Sequence, residues 1–477
     1  MRTSSIAAQD VSEKEIVQII SSRSAFLALA CAILSYQIFV PPVVGLANSG
    51  DFGKVIGLFD LTGPVQDENA WADTRYEFNP KKHYWAEFYS SEHVIMAASV
   101  AVNTVLSKDG YFDLRSIGLV HAALFLVALY LLWTSLEDAP RILRLATCGT
   151  ALFVFTDVMY VSYLNSFYMD VAAWLFLSIA ATLYLRLLRG VSRLDALCFV
   201  VCCAMTVTSK AQHGILGFWL ALLVLAVGYP RWPKHRKWTI AAAASLMLLG
   251  AVWITKSSPS SYASRGVFTM VFYRILPHSK NVDRTIQDLG LDQSYCPYIG
   301  MHSFSEGSPM DDASFVERFR SRITYGSLAW FYLTHPRDAY TALRFSLNEA
   351  GIQRPYLGNF DVRTGYPRFH ASRAFAFWSD LKRWAFNEKG SRYLFTFIGL
   401  AAAVGTMLAA QRRGLQAGTM AGGVVLIGMA FTAMFMASLA DAVDVPRHHL
   451  LFYVLFDMLV VLLVHLSVRA VLARARE

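Results

Sequence analysis

Long apolar runs alternate with polar stretches at about residues 25–46, 116–136, 142–160, 169–187, 194–209, 213–230, 238–255, 392–411, 415–436 and 448–468. Each comes close to the roughly 20 residues that a helix needs to cross hydrocarbon. The pattern therefore predicts an all-α polytopic membrane protein with about ten transmembrane helices. Two of the intervening polar regions are long, about 47–115 and 256–391. The first holds Asp67, Glu68, Trp71, Asp73, Tyr76 and the run Lys81-Lys82-His83-Tyr84-Trp85-Ala86-Glu87-Phe88-Tyr89. It ends in the cap-like residues Ser90-Ser91-Glu92-His93 before Val94–Leu106, which is too short to span and fits an interfacial helix. Its tryptophans and tyrosines suit the headgroup zone, as a belt or as a binding surface. The second region is punctuated by Pro259, Pro277, Pro297, Pro309, Pro336, Pro355 and Pro367 and shows no period-two alternation. It is expected to form an irregular, mainly α insert with helices near 313–333 and 337–350. No repeat is visible, inverted or otherwise. The expected organisation is a terminus over 1–24, a transmembrane module over 25–255, the insert over 256–391 and a final membrane segment over 392–477.

Composition agrees with the pattern. The 477 residues are 55% hydrophobic and 16% charged, with a mean hydropathy of +0.40, which excludes an ordinary soluble enzyme. A net charge of +9 raises nucleic acid as a partner, but the cations sit in short loops, as membrane orientation requires. Arg141, Arg144, Arg186, Arg189, Arg193, Arg231, Lys234, Arg236, Lys237, Arg412, Arg413, Arg469, Arg474 and Arg476 all fall on one side of the predicted spans. That side is expected to be cytoplasmic together with both termini, and the two long regions extracytoplasmic, in a plasma (inner) membrane. Met1–Arg23 lacks a short apolar core with a cleavage site, so the first run is expected to be an uncleaved anchor. Among the six cysteines, no disulfide framework or metal-ligand spacing emerges.

Candidate chemistry collects at the extracytoplasmic ends. In Val44-Gly45-Leu46-Ala47-Asn48-Ser49-Gly50-Asp51-Phe52-Gly53-Lys54, Asp51 follows the first span and is bracketed by Gly50 and Gly53, which permit tight turns and close ligand approach. Ser-Gly-Asp is also an ordinary helix-exit turn. Asp157 and Asp170 flank Tyr160, Tyr163, Asn165, Phe167 and Tyr168, and ionisable groups near membrane depth usually face a cavity or a partner. The alternatives are hydrated headgroup-zone carboxylates and an aromatic belt. Lys210, beside Gln212 and His213, is the one cation in a short outside turn that is otherwise uncharged, against the positive-inside bias. A phosphate would suit it, as would a solvated loop. Asp441-Ala442-Val443-Asp444-Val445-Pro446-Arg447-His448-His449 brings a second cation, Arg447, to the same side. Arg447 reads as a phosphate contact or as part of a helix cap, and its aspartates and histidines match no specific metal-ligand pattern.

One span, an acidic first outer loop with Gly50-Asp51-Phe52, an interfacial helix, further spans and a late outer insert together resemble the GT-C class of polytopic glycosyltransferases. Tyr163-Leu164-Asn165-Ser166-Phe167-Tyr168-Met169-Asp170 is similar to a stretch in bacterial envelope-polysaccharide members. The adjacent Asp-Glu pair that protein mannosyltransferases carry directly after the first span is missing here, since Asp67-Glu68 comes later. The resemblance implies transfer of a sugar from a polyprenyl-phosphate donor to a glycan or lipid-linked acceptor on the outer face, with Asp51 as catalytic base. Such chemistry needs one carboxylate to take the acceptor proton and cations for the leaving phosphate. Lys210 and Arg447 fit that cation role. Asn165, Asp157, Asp170, Gln212, His213, Tyr168, Glu92 and His448 remain as substrate-binding candidates. A divalent cation, Mg or Mn, stays open as a cofactor. The competing classes are a lipid-linked oligosaccharide polymerase, ligase or flippase, and a solute transporter.

Overall fold

The computed structural model describes residues 22–64, 67–79, 88–190, 192–231, 237–412 and 415–475. The basic-aromatic run Lys81–Glu87, the amino-terminal stretch to Ser21 and the cations Lys234, Arg236, Arg413 and Arg476 lie outside the described residues. The protein is mostly helical and membrane-embedded. Its main helices are α1 (Arg23–Phe39), α2 (Glu92–Leu106), α3 (Arg115–Ser135), α4 (Arg141–Phe155), α5 (Val158–Leu164), α6 (Asp170–Arg189), α7 (Arg193–Val207), α8 (Leu216–Arg231), α9 (Lys237–Ser257), α10 (Pro336–Ala350), α11 (Phe377–Phe386), α12 (Gly390–Ala410), α13 (Ala417–Leu439) and α14 (Leu450–Arg474).

Every one of the ten apolar runs is helical, but they do not make ten full-length spans. Among the described residues six helices, α3, α6, α9, α12, α13 and α14, are long and apolar enough to cross a membrane. Counting the bent pair α4–α5 as one span gives seven. The shortfall has local causes. α1 starts at the N-cap Ser22, whose hydroxyl accepts the Ala25 amide, and stops at Phe39 because Pro41 and Pro42 cannot continue a helical ladder. The run over 142–160 breaks at Thr156-Asp157, where Asp157 accepts the Met159 amide at 2.9 Å and caps α5. That break turns the chain by 65°.

α6 is the hub, with 83% of its apolar window buried against 22% for the peripheral α9. It packs on α3 and α7, while α14 packs on α4, α12 and α13. Its ends suit the helix macrodipole, with Asp170 in the first turn and Arg186 and Arg189 in the last.

The first long loop is not wholly α. It contains an antiparallel sheet of β1 (Leu61–Thr62), β2 (Arg75–Phe78) and β3 (Tyr111–Asp113), in that order, with Tyr76 opposite Phe112. Those two residues are the buried ones of their strands, and both lean on Phe167. Phe52 meets the same ring at 5.2 Å, so the sheet backs the turn that carries Asp51. α2 forms where an interfacial helix is expected. The insert over 258–389 shows no strand among its described residues, and helices at Ala313–Arg322, Tyr325–Thr334 and α10 occupy the expected places. A separate apolar cluster that includes Phe268, Phe272, Phe315 and Phe319 holds it together.

Segment 44–49 is clamped from two sides. Asn165 Nδ2 donates to the carbonyls of Ile38 and Val44 at 3.1 and 2.8 Å, and Leu46 N donates to Asn165 O. From the insert, Gly45 N donates to Asn359 O, Asn359 Nδ2 to Gly45 O, and Ala47 N to Gly358 O. α3 approaches Asn165 so closely at Gly118 that a Cβ there would overlap the amide oxygen. Asn165→Ala strips a buried carbonyl pair of its donor, a loss of about 1–3 kcal/mol. It is expected to lower the unfolding midpoint of the detergent-solubilised protein, and an unchanged midpoint would count against the clamp.

Candidate functional site

Three loops converge at one end of the bundle: the turn after α1, the α7–α8 connection and the segment before α14. Gly50 adopts φ +94°, a conformation open to glycine, and the Asn48 side chain accepts the amides of Gly50 and Phe52 at 2.8 and 3.1 Å. This turn aims Asp51 at the other two loops. Arg447 Nη2 lies 2.8 Å from Asp51 Oδ2, and Lys54 Nζ bonds Asp51 Oδ1. Behind them Lys210 Nζ sits 3.2 Å from both oxygens of Asp170, with His213 Nε2 at 3.4 Å from Oδ1. Arg447 ties the two halves together, reaching Asp170 at 3.7 Å and pairing with Asp444. Its guanidinium stacks over Tyr168 at 4.9 Å.

The supports are equally specific. Tyr168 donates its hydroxyl to Ala47 O and accepts the Ser49 amide. Gln212 donates to His448 O at 3.2 Å, and His448 Nδ1 lies 3.4 Å from Lys210 Nζ. The start of α2 holds both lysine-bearing loops: Ser90 Oγ donates to Ser209 O, Ser91 Oγ to Met205 O, and His93 Nε2 contacts Lys54 O. The Lys54 ammonium lies over the rings of Tyr262 and Phe88 at 4.4 and 5.1 Å.

Exposure is graded. The side chains of Lys54, Lys210 and Arg447 are 6, 3 and 5% exposed, whereas Asp51 is 17% exposed. Asp51 thus stands at the mouth of the cluster, with three cations behind it. Burial by itself would raise its pKa, but Arg447, Lys54 and Lys210 outweigh that and hold the carboxyl well below the usual carboxylate range. Burial, reinforced by Lys210 and Arg447, pushes His448 well below the ordinary histidine value, so its ring is neutral. Burial likewise lowers His213 and raises Asp441.

The structure brings together Asp51, Asp170, Lys210, Gln212, His213, Tyr168, Arg447 and His448. It does not bring Asp157, Asn165 or Glu92 into the cluster. Asp157 caps α5 and accepts the Ser379 amide. Asn165 is spent on the clamp. Glu92 is fully buried, pairs with His121 Nε2 at 2.8 Å and accepts the Ala172 amide at 3.0 Å, which locks α2 to α3 and α6. Neither a solvated Lys210 nor an aromatic belt at 160–168 survives, because Lys210, Tyr160, Tyr163, Phe167 and Tyr168 are all buried inside protein.

Sequence reasoning missed Lys54, Asp444 and Tyr262. Lys54 and Asp444 lay within stretches already singled out, around Asp51 and Arg447; Tyr262 had no local signal. Among the described residues no three His, Cys, Asp or Glu side chains gather as a metal would require. The carboxylates that a divalent ion would need each face a basic side chain instead.

Among curated proteins and among solved structures none matches the chain. A family model described as the YfdI N-terminal transmembrane domain matches residues 9–477. With that match spanning nearly its whole length, the chain belongs to the YfdI N-terminal transmembrane domain family.

Proposed function

We propose that the protein is a membrane glycosyltransferase of GT-C type, taking a sugar from a polyprenyl-phosphate donor and passing it with inversion to a cell-envelope glycan or lipid-linked acceptor on the extracytoplasmic face. The observation that carries this reading is a partly exposed carboxylate, Asp51, that meets two buried cations, Arg447 and Lys54, with a third, Lys210, behind them at the loop end of a helical bundle. Positive charge in the loops at the opposite end supports the orientation.

In the free protein the cations are engaged by carboxylates, and Asp51 is too acidic to be a strong base. A donor phosphate entering the cluster competes for Arg447, Lys54 and Lys210. Their attraction for Asp51 weakens as they turn to the phosphate, and its basicity rises toward what general-base catalysis requires. The acceptor oxygen attacks the anomeric carbon from the face opposite the phosphate, and the bond from that carbon to the phosphate oxygen breaks. The electron pair leaves on the lipid phosphate, stabilised by the cations, while Asp51 takes the acceptor hydroxyl proton. One base suffices because no covalent intermediate is formed. A transporter is less well supported, since Asp51 and the three cations around it gather in the loops at one end of the bundle.

Liposomes holding the purified protein and a polyprenyl-phosphate sugar test the reading through release of lipid phosphate. Arg447→Ala removes a charge-assisted contact of about 1.5–3 kcal/mol. It is expected to reduce kcat/KM for the donor by about ten- to a hundredfold, with Arg447→Lys intermediate. Lys210→Ala is expected to act in the same direction. Wild-type donor dependence in both alanine variants would remove the phosphate-binding role.

A further inference from the structure

At the other end of the bundle, between α3, α4, α6, α13 and α14, lies a cavity of about 490 Å³. Phe125, Leu129, Leu177, Leu426 and Leu462 are among its walls, and its lining is apolar over most of its length. It runs along α6 from Arg189 to Leu177, roughly 18 Å at helical rise, and stops about 10 Å short of Asp170. Among the described lining residues charge appears only at the far end, where Arg189 and Arg469 line it beside His465, and none of them is a carboxylate. His465 Nδ1 contacts Thr147 Oγ1 at 3.0 Å. Arg189 donates to Thr134 O and pairs with Asp138, yet its side chain stays 40% exposed. α13 begins at the same end, and its N-cap Gln416 makes no side-chain cap hydrogen bond.

The cavity is open along one side, and apolar walls of this extent lose van der Waals contacts unless a chain lies against them. We propose that the cavity holds one acyl chain of an anionic phospholipid of the bilayer, with the phosphate at Arg189 and Arg469. Basic mouths between transmembrane helices recognise such headgroups, and here Arg189 and Arg469 line the mouth, with Asp138 paired to Arg189 beside it. Volume separates this occupant from a polyprenyl tail. A dry cavity of about 150 Å³ takes one benzene, so this one accommodates about eighteen carbons, one acyl chain. The site is separate from the Asp51 cluster and holds whether or not the protein transfers sugar.

Native mass spectrometry of the purified full chain, loaded with equal phosphatidylglycerol and phosphatidylcholine of identical chains, tests it. Two arginines at a headgroup are expected to favour phosphatidylglycerol roughly tenfold or more. Arg189→Gln with Arg469→Gln is expected to equalise the two lipids, and Ala181→Phe, which fills the cavity, to release both while the unfolding midpoint stays near wild type. Equal retention by the wild type, unchanged selectivity in the double variant, full retention in Ala181→Phe, or displacement by equimolar inorganic phosphate would each overturn the proposal. A photoactivatable phosphatidylglycerol on the wild-type protein guards against misfolded variants: crosslinks in α6 and α14 support the site, and crosslinks confined to other segments refute it.

Discussion

Asp51→Asn is expected to yield a protein that inserts, extracts and takes up donor normally but transfers sugar about 10²- to 10⁴-fold more slowly, the usual loss when a positioned base is removed. Asparagine keeps the shape of the side chain and a hydrogen-bonding oxygen but removes its charge and its basicity. Folding tolerates the change because Arg447 retains Asp444 and Asp170, and because Lys54 keeps an amide oxygen to donate to and the rings of Tyr262 and Phe88. The kinetic signature is specific. With the carboxylate gone, Lys54 and Arg447 lose a competitor of the donor phosphate, so KM for the donor should stay level or fall while kcat collapses. A merely structural Asp51 would instead lower the unfolding midpoint and leave kcat of the surviving protein intact. If Asp51→Asn transfers at near wild-type rate, the base lies elsewhere, and Asp170 or Asp444 becomes the candidate; Asp157 is committed to capping α5.

The largest stability effect is expected at a buried ion pair between the insert and the last long helix. Lys382 on α11 reaches Asp457 on α14 at 3.0 and 3.1 Å, and the same carboxylate accepts Tyr160 Oη at 2.5 Å and Trp378 Nε1 at 2.9 Å. Both charges are buried, Lys382 at 3% exposure and Asp457 at 0%. Lys382→Met leaves the buried Asp457 carboxyl without its counter-charge, and breaking one side of such a pair costs about 3–5 kcal/mol. A marked fall in the detergent unfolding midpoint is expected. Adding Asp457→Leu should recover most of it, because a buried pair exchanged for apolar residues is often neutral or better; the donors of Tyr160 and Trp378 left behind keep the recovery partial. A single variant within about 1 kcal/mol of wild type would show that water already reaches the pair.

Hydropathy located every long helix because burying backbone in lipid demands helices, and it needs no tertiary information to be read. It overcounted spans where a helix ends inside an apolar run, as at Pro41-Pro42 after α1 and at Asp157 between α4 and α5. The sheet was invisible because strands of two to four residues are too short to display an alternation. At the site, chain order indicated which loops share a face, so Asp51, Lys210 and Arg447 could each be singled out. Their partnerships could not. Lys210 and Asp170 are 40 residues apart and meet because α6 and α7 pack side by side. Asp157 and Asp170 look alike in sequence, each an aspartate at a helix start among aromatics. Only packing shows that one meets backbone amides and the other a lysine.

The clamp on residues 44–49 also sets an order of assembly. The ribosome releases Asp51 early, yet Asn359 and Arg447, which position and face it, arrive only after most of the helices have been made. The nascent chain thus passes through the membrane with its carboxylate in place and the cations of α14's approach still unsynthesised. The cluster around Asp51 is complete only once the segment before α14 has been made, so a product truncated ahead of Arg447 lacks a group that faces that carboxylate.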